Sequence, residues 1–412
     1  MESLREQLLI LISAPFYMII IAGEIILGNL QHRKAYTLKD TFTNVYLLLA
    51  NSGIDLLFRT LYVGILVYFF NRQVYHISNP LLYWFVLLLL EDFLYYWLHR
   101  FDHEIRLFWA VHVTHHSSEH MNFAVGFRSS VFQPLYRFIY FIPLALMGFN
   151  PVDIIFMYSA TQIWGIFVHT EFIHKMGWLE YIFVTPSHHR VHHGRDPKYI
   201  DKNHAGALII WDKMFGTFQQ EEEKPTYGIT KPINSWNAVY ANVSHYIEMG
   251  KDLKRITSYS DKVKYLFKKP GWLPDYLGGY RPAQEVDKLS YKKYHTPAPM
   301  SLNLYVLFQY ILCLLGTAIF LNKADKFTLS EQAFITGLVC LVVVNSGVLF
   351  EQRPWAKYSE WIRIIVYPLL LAILTFMNEW ASEFYLIAGI YFIISFTWFY
   401  TIQKQSAYVQ MA

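Results

Sequence analysis

The stretch PLLYWFVLLLLEDFLYYWLHRFDH, residues 80–103, joins an apolar run to a pair of histidines. A membrane-spanning helix needs about 20 mostly apolar residues, and residues 80–99 supply them. His99 and His103 are four residues apart, so they share one face of that helix. Neutral imidazole is a common protein ligand of iron, zinc and copper. The stretch therefore predicts a transmembrane helix that ends in metal ligands.

Further histidines follow at similar spacing along the chain. Eleven of the 17 histidines fall into four clusters, namely His99 and His103; His112, His115 and His116; His169 and His174; and His188, His189, His192 and His193. Residues 112–116 and 189–193 both contain histidines at i, i+3 and i+4, a spacing that presents two or three imidazoles to one point. One ion cannot bind ten of these eleven imidazoles, so the sequence predicts two metal ions with about four or five imidazoles each.

The composition is that of a membrane protein. Hydrophobic residues make up 54 % of the 412 residues, which is too apolar for an ordinary soluble enzyme. The formal net charge is only +4, so we expect no nucleic-acid partner. Cys313 and Cys340 both lie inside apolar runs, which disfavours a disulfide framework and a thiolate metal site. Nitrogen and oxygen ligands must therefore hold the metals.

The hydropathy predicts an all-α, polytopic membrane helix bundle of about nine spans. The predicted spans are 7–30, 44–71, 80–99, 130–149, 151–174, 301–322, 332–350, 359–378 and 383–402. We divide the chain into N-terminal spans (1–174), a polar segment with the last histidine cluster (175–300) and a C-terminal four-span region (301–412). The first span is longer than the apolar core of a signal peptide, so we expect it to be a retained anchor.

The topology follows from the need for the clusters to meet. The third span ends at His99 and the fifth near His174, so both ends lie on one membrane face. Lys and Arg are more frequent in the loops of that face, 31–43, 100–128 and 351–357, which indicates the cytoplasmic side. We expect an integral protein of a bacterial inner membrane or the endoplasmic reticulum, with a cytoplasmic active site and a reductant that arrives from the cytoplasm.

The histidine clusters resemble the boxes of a known superfamily. HRFDH (99–103), HVTHH (112–116) and HHRVHH (188–193) resemble the H-x3-H, H-x2-HH and H-x2-HH boxes of the fatty acid hydroxylase/sterol desaturase superfamily, whose members are membrane di-iron oxygenases. Over about residues 80–220 the chain is most similar to the alkylglycerol monooxygenase branch and its bacterial relatives.

The resemblance implies an activity and its cofactors. It implies a membrane di-iron monooxygenase that uses O2 to hydroxylate a lipid, with the ether-linked carbon of an alkylglycerol as the target. The products would be a fatty aldehyde and a glycerol derivative. Two iron ions are implied, and tetrahydrobiopterin is implied as the reductant by analogy alone, because we identify no pterin site in the sequence.

Two other functions stay open on the sequence. Hydroxylation or desaturation of fatty acyl chains, sterols or carotenoids would use the same superfamily machinery. A metal transporter would place ionisable ligands near the middle of the membrane. Most histidines of this chain follow the ends of the spans instead, which disfavours a transporter.

Two of the clusters leave a choice of which histidines bind the metal. The predicted ligands are His99, His103, His112, His115, His116, His169, His174, His189, His192 and His193. His189 is preferred to His188 because it completes the i, i+3, i+4 spacing. His169 and His174 are five residues apart, about 140° around a helix, so both can bind only if the helix ends or unwinds between them.

Further polar residues lie beside the ligands. Asp92 is seven residues before His99 on the same helix face, where its carboxylate could accept a hydrogen bond from a ligand imidazole. We predict catalytic roles for Asp92 and for Glu104, which follows His103. The residues that could support the ligands from outside are His188, Glu171, Asn203 and His204. His204 occupies a position where this branch usually has Tyr, and we expect it not to bind metal.

Overall fold

The computed structural model describes residues 2–377 and 382–411, and the described chain is helical, without a named β-strand. Its helices are α1 (Glu2–Leu30), α2 (Leu38–Phe70), α3 (Pro80–Glu104), α4 (Arg106–His116), α5 (Ile142–Leu146), α6 (Pro151–Phe167), α7 (Pro186–His192), α8 (Ile210–Met214), α9 (Ala238–Arg255), α10 (Tyr259–Phe267), α11 (Met300–Asn322), α12 (Leu329–Phe350), α13 (Ala356–Met377) and α14 (Glu383–Met411). The predicted all-α class is confirmed.

Six helices in the described residues are long and apolar enough to cross a membrane. They are Leu38–Phe70, Pro80–Glu104, Met300–Asn322, Leu329–Phe350, Ala356–Phe376 and Glu383–Gln405. The protein is therefore an integral membrane protein, but the predicted count of about nine spans is not confirmed. Pro15–Leu30 is a shorter apolar helix, and α6 has only 17 residues.

The predicted span 130–149 is not one helix. Its residues form two short 3-10 helices, Gln133–Leu135 and Arg137–Phe141, followed by α5. Proline lacks a backbone N–H and clashes with the preceding turn, so Pro134 and Pro143 interrupt a continuous helix. Gly148 then turns the chain with a φ of +93°. The apolar composition of this segment reflects burial against α2 and α3.

The corner between α3 and α4 positions the first two histidine clusters. α3 begins at Pro80, whose missing N–H costs nothing at the first turn, and the Asn79 side chain accepts a hydrogen bond from the Leu82 N–H (3.0 Å). After α3 ends, the buried Arg106 guanidinium donates to the carbonyls of Tyr265 (2.9 Å) and Trp272 (2.7 Å). These bonds tie the corner to the segment around α10.

The chain forms two compact units. The first contains residues 1–234 and 240–294, and every histidine of the four clusters lies in it. The second contains 235–239 and 295–412. The division into 1–174, 175–300 and 301–412 stays a prediction.

Inside the second unit, α13 carries a buried ion pair. Arg363 donates to Glu360 through Nε (2.8 Å) and Nη2 (2.5 Å), and the two side chains are 6 % and 0 % exposed. Tyr305 from α11 and Asn345 from α12 also donate to the Glu360 carboxylate. This network joins three helices through polar contacts inside an apolar bundle.

Candidate metal centre

Nine histidines of the first unit gather in two buried groups. The first group is His99, His103, His112, His116 and His192, and the second is His115, His169, His189 and His193. Within each group, one ligand nitrogen from every residue lies within 4.8 Å of the others. α3, α4 and α7 supply most of the rings, while His169 follows the end of α6 and His193 ends α7.

The spacing i, i+3, i+4 decides which group a histidine joins. Four residues turn an α-helix about 40° beyond a full turn, and three residues leave it about 60° short. His116 therefore lies with His112 in the first group, whereas His115 lies in the second. The histidines of 189–193 divide in the same way. Each triplet serves both groups, which places the two groups side by side.

The protein backbone sets the orientation of several rings. Four of them donate from Nδ1 to a backbone carbonyl: His99 to His204 (2.6 Å), His115 to Arg128 (2.9 Å), His169 to Gly165 (2.6 Å) and His192 to Lys202 (3.0 Å). A carbonyl can only accept, so each Nδ1 carries the proton and each Nε2 carries the lone pair. Such a contact orients a metal-binding histidine and makes its free nitrogen more basic.

The free nitrogens fit bound cations. The Nε2 atoms of His115 and His169 lie 3.3 Å apart, and both carry lone pairs because both Nδ1 atoms donate elsewhere. Two lone pairs at this distance repel unless a cation lies between them. The Nε2 atoms of His103 and His192 are buried without any hydrogen-bond partner. A set of imidazole nitrogens of this kind suits iron or zinc.

Burial also lowers the pKa of several of the rings. It lowers the pKa of the His115 imidazole to about 4, and burial followed by the neighbouring imidazoles holds the pKa of His112, His116 and His193 well below the usual value. Metal binding requires the unprotonated ring. At neutral pH these four rings are therefore ready to bind a metal without first losing an imidazolium proton.

A cavity of about 60 Å³ adjoins both groups. Its lining includes His99 and His112 from the first group and His115, His169 and His189 from the second. The remaining lining carries no carboxylate or lysine and mixes apolar residues such as Val111, Ile166 and Val168 with Arg128 and uncharged polar residues. The uncharged polar residues are Tyr95, Ser129, Ser130, Gln133, Thr161 and Gln162. A small molecule held there would contact histidines of both groups at once.

Comparisons with known proteins agree with this geometry. Residues 84–217 match the model of the fatty acid hydroxylase family. The alkylglycerol monooxygenase of Homo sapiens is 33 % identical over 370 residues, which cover 87 % of this chain and 81 % of the human protein. This chain belongs to the alkylglycerol monooxygenase branch of the fatty acid hydroxylase family. It is therefore a membrane lipid monooxygenase, and the predicted superfamily is confirmed.

Other relatives show how far the similarity extends. The alkylglycerol monooxygenase of Danio rerio is 37 % identical over 294 residues, covering 70 % of this chain and 64 % of the fish protein. The ornithine lipid hydroxylase OlsE of Rhizobium tropici is 30 % identical over 132 residues, covering 32 % of this chain and 40 % of that protein. No solved structure matches this chain.

His174 does not join the imidazoles. α6 ends at Phe167, and the chain continues as a loop that is buried at residues 168–170 and exposed at His174. The helix therefore ends before both histidines, and only His169 turns back into the second group. Glu171 lies between them in sequence, and its carboxylate forms an ion pair with the exposed Lys224 (3.0 Å).

Asp92 and Glu104 have other partners than the sequence predicts. Asp92 accepts hydrogen bonds from the backbone of Ala207 (2.7 Å) and Leu208 (3.0 Å) and from the Trp211 indole (2.9 Å), so it holds a loop rather than a ligand imidazole. Glu104 lies at the rim, where it pairs with Arg100 and Lys269. These contacts do not include the histidine groups, and the catalytic roles of the two carboxylates stay predictions.

Two other carboxylates flank the first group. The Asp102 carboxylate lies 3.7 Å from Nδ1 of His112, and the Asp201 carboxylate lies 3.7 Å from Nδ1 of His103. Asp102 is 1 % exposed and accepts a hydrogen bond from Tyr136 (2.7 Å). Sequence reasoning missed both, because neither falls at helical spacing from the ring it faces.

The remaining supporting residues organise the chain around α7. His188 forms the capping box of α7 with Thr185, so His189 is the residue that joins the second group. Asn203 adopts a left-handed φ of +55° and donates to the carbonyls of His188 (3.0 Å) and Gln219 (2.8 Å). The backbone carbonyl of His204 accepts the hydrogen bond from His99, and the His204 ring is buried beside the first group.

Proposed function

We propose that this protein is an alkylglycerol monooxygenase that hydroxylates the ether-linked carbon of its lipid. One observation carries the proposal. Similarity to the human alkylglycerol monooxygenase extends over 87 % of the chain. The lathosterol oxidase of Mus musculus and the ornithine lipid hydroxylase match only 32 % of it. The similarity to the alkylglycerol enzymes thus reaches far beyond the histidine boxes.

We propose that the nine gathered histidines hold two iron ions, with five rings at one and four at the other. Bound iron would supply the oxidising power to break a C–H bond, which side-chain acid–base chemistry cannot supply. Zinc binds similar ligands but has no redox chemistry. The protein's own part is to orient the lipid and to exclude water from the buried rings.

The cavity beside the rings suits the polar end of an alkylglycerol. Gln133, Gln162 and Ser129 provide uncharged donors and acceptors that match the free hydroxyls of a glycerol group. The ether-linked carbon lies one bond from the glycerol, so a glycerol held there brings that carbon close to the histidine groups. The alkyl tail would remain among the apolar helices.

The reaction balances as a monooxygenation. One oxygen atom of O2 enters the C–H bond next to the ether oxygen, and the other leaves as water with two electrons and two protons from a reductant. The hemiacetal then releases a fatty aldehyde and a free glycerol hydroxyl. We propose a tetrahydropterin as the reductant, supplied from the cytoplasmic face of a bacterial inner membrane or an endoplasmic reticulum.

The test is an assay of purified, iron-loaded protein with O2, tetrahydrobiopterin and an alkylglycerol. Trapped fatty aldehyde is the expected product. His115→Ala should abolish it, because the ring belongs to the second group. The matched control is His174→Ala, which removes an exposed histidine outside both groups and should leave the rate within about twofold. Turnover of sterols or acyl chains without ether cleavage would contradict the proposal.

A further inference from the structure

His204 is a buried imidazole without a partner. The residue is 0 % exposed, and neither Nδ1 nor Nε2 has a hydrogen-bond partner. A neutral imidazole carries one N–H donor and one acceptor, and leaving both unsatisfied away from water costs free energy. The other buried ring nitrogens without a partner include those of His103 and His192 in the first histidine group.

The His204 ring borders one side of the first group. The centroid of His204 is 4.9 Å from that of His103 and 5.9 Å from those of His99 and His192. Among the five members, neighbouring centroids range from 4.4 Å for His99 and His192 to 6.5 Å for His112 and His192. His204 therefore lies at the edge of the first group, beside three of its five members and outside the set whose nitrogens all lie within 4.8 Å of one another.

The chain around His204 is held in place. The Asp212 carboxylate accepts from the backbone N–H of His204 (2.7 Å) and from that of Ala205 (2.8 Å). Asp201 and Asn203 adopt left-handed φ angles of +56° and +55° just before it.

We propose that His204 is a sixth imidazole ligand of the first metal. This inference rests on the proposed metal centre and deepens it. With His204 the first group offers six nitrogens, which fills an octahedral shell, while the second offers four. Positions for oxygen and substrate would then lie at the second metal, whose histidines supply three of the rings in the cavity wall.

The test measures metal retention in His204→Phe, which keeps a ring of similar size and removes both nitrogens. The full-length protein is loaded with Co²⁺ in detergent, challenged with a chelator and assayed for bound metal. We expect the wild type to hold two ions and the variant to lose one at least tenfold faster. The Co²⁺ absorption of that site should also intensify, because a five-coordinate ion absorbs more strongly than a six-coordinate one.

The matched control is His245→Phe. His245 is a half-buried histidine of the same unit whose Nε2 also lacks a partner, and it belongs to neither group. Equal metal loss and equal spectra in the two variants would overturn the role of His204 alone. A wild type that binds no metal would instead overturn the proposed centre. If His204→Phe does not fold, a cryo-EM map of the metal-loaded wild type replaces it as the test. We expect a His204 nitrogen about 2.1 Å from the ion.

Discussion

At the scale of single residues, the two groups follow from which nitrogen of each ring is free. Backbone carbonyls accept hydrogen bonds from Nδ1 of His99, His115 and His169, so the Nε2 atom of each ring carries the free lone pair. Gly165 is four residues before His169, but His204 and Arg128, the partners of His99 and His115, are brought near by folding and cannot be predicted from sequence spacing. The centre therefore depends as much on its surroundings as on its ligands.

Asp102 should act as a positioning residue for His112. Its Oδ2 atom is buried without a hydrogen-bond partner and lies 3.7 Å from Nδ1 of His112. Asp102→Asn keeps the shape but weakens the attraction for an imidazole N–H, and losses of about 10–100-fold in metal affinity or activity are typical of such changes. We expect weaker metal retention along with slower turnover. Full retention of metal with unchanged turnover would contradict this role.

At the scale of elements, α3 links the membrane to the metal centre. Its apolar run and its histidine pair could be read directly from residues 80–103, and the helix found covers that stretch. The sequence misjudged 130–149, because an average of hydropathy does not register the backbone breaks at Pro134 and Pro143. It also extended the fifth span to 174, although α6 ends at Phe167.

Asp92 should stabilise the approach of the 205–211 loop to α3. It accepts three hydrogen bonds from that loop, and a Cβ on Gly206 would lie 3.0 Å from its Oδ1 and 2.7 Å from the Tyr95 ring. Asp92→Asn replaces one acceptor oxygen by a donor and should cost about 1–3 kcal/mol of stability. Thermal unfolding in detergent measures the loss, and Glu104→Gln at the exposed rim is the control. An unchanged midpoint would argue against this role.

At the scale of the whole molecule, the histidines and the last four helices belong to different compact units. The helical class, the membrane location and the nine histidines that gather in the two groups follow from patterns within short stretches of sequence. The flanking Asp102 and Asp201 and the Glu360–Arg363 network do not, because each depends on residues that meet only after folding. A charged residue in an apolar span predicts that it has a partner, but the sequence does not show which residue that partner is.

Arg363 should be required for the stability of the second unit. Arg363→Leu leaves the fully buried Glu360 carboxylate without its cation, which typically costs about 3–5 kcal/mol. Replacing both residues by leucine should recover much of that loss. The control Lys323→Leu removes a solvent-exposed cation at the end of α11, and it should cost about 1 kcal/mol or less. Equal midpoints for the two single variants would contradict the account.

Counting metal ions per chain in purified, active protein tests the central claim most directly. The account predicts two transition-metal ions per chain, with one lost in His112→Ala from the first group and one lost in His189→Ala from the second. Active protein that holds no transition metal, or that keeps both ions in these variants, would contradict it.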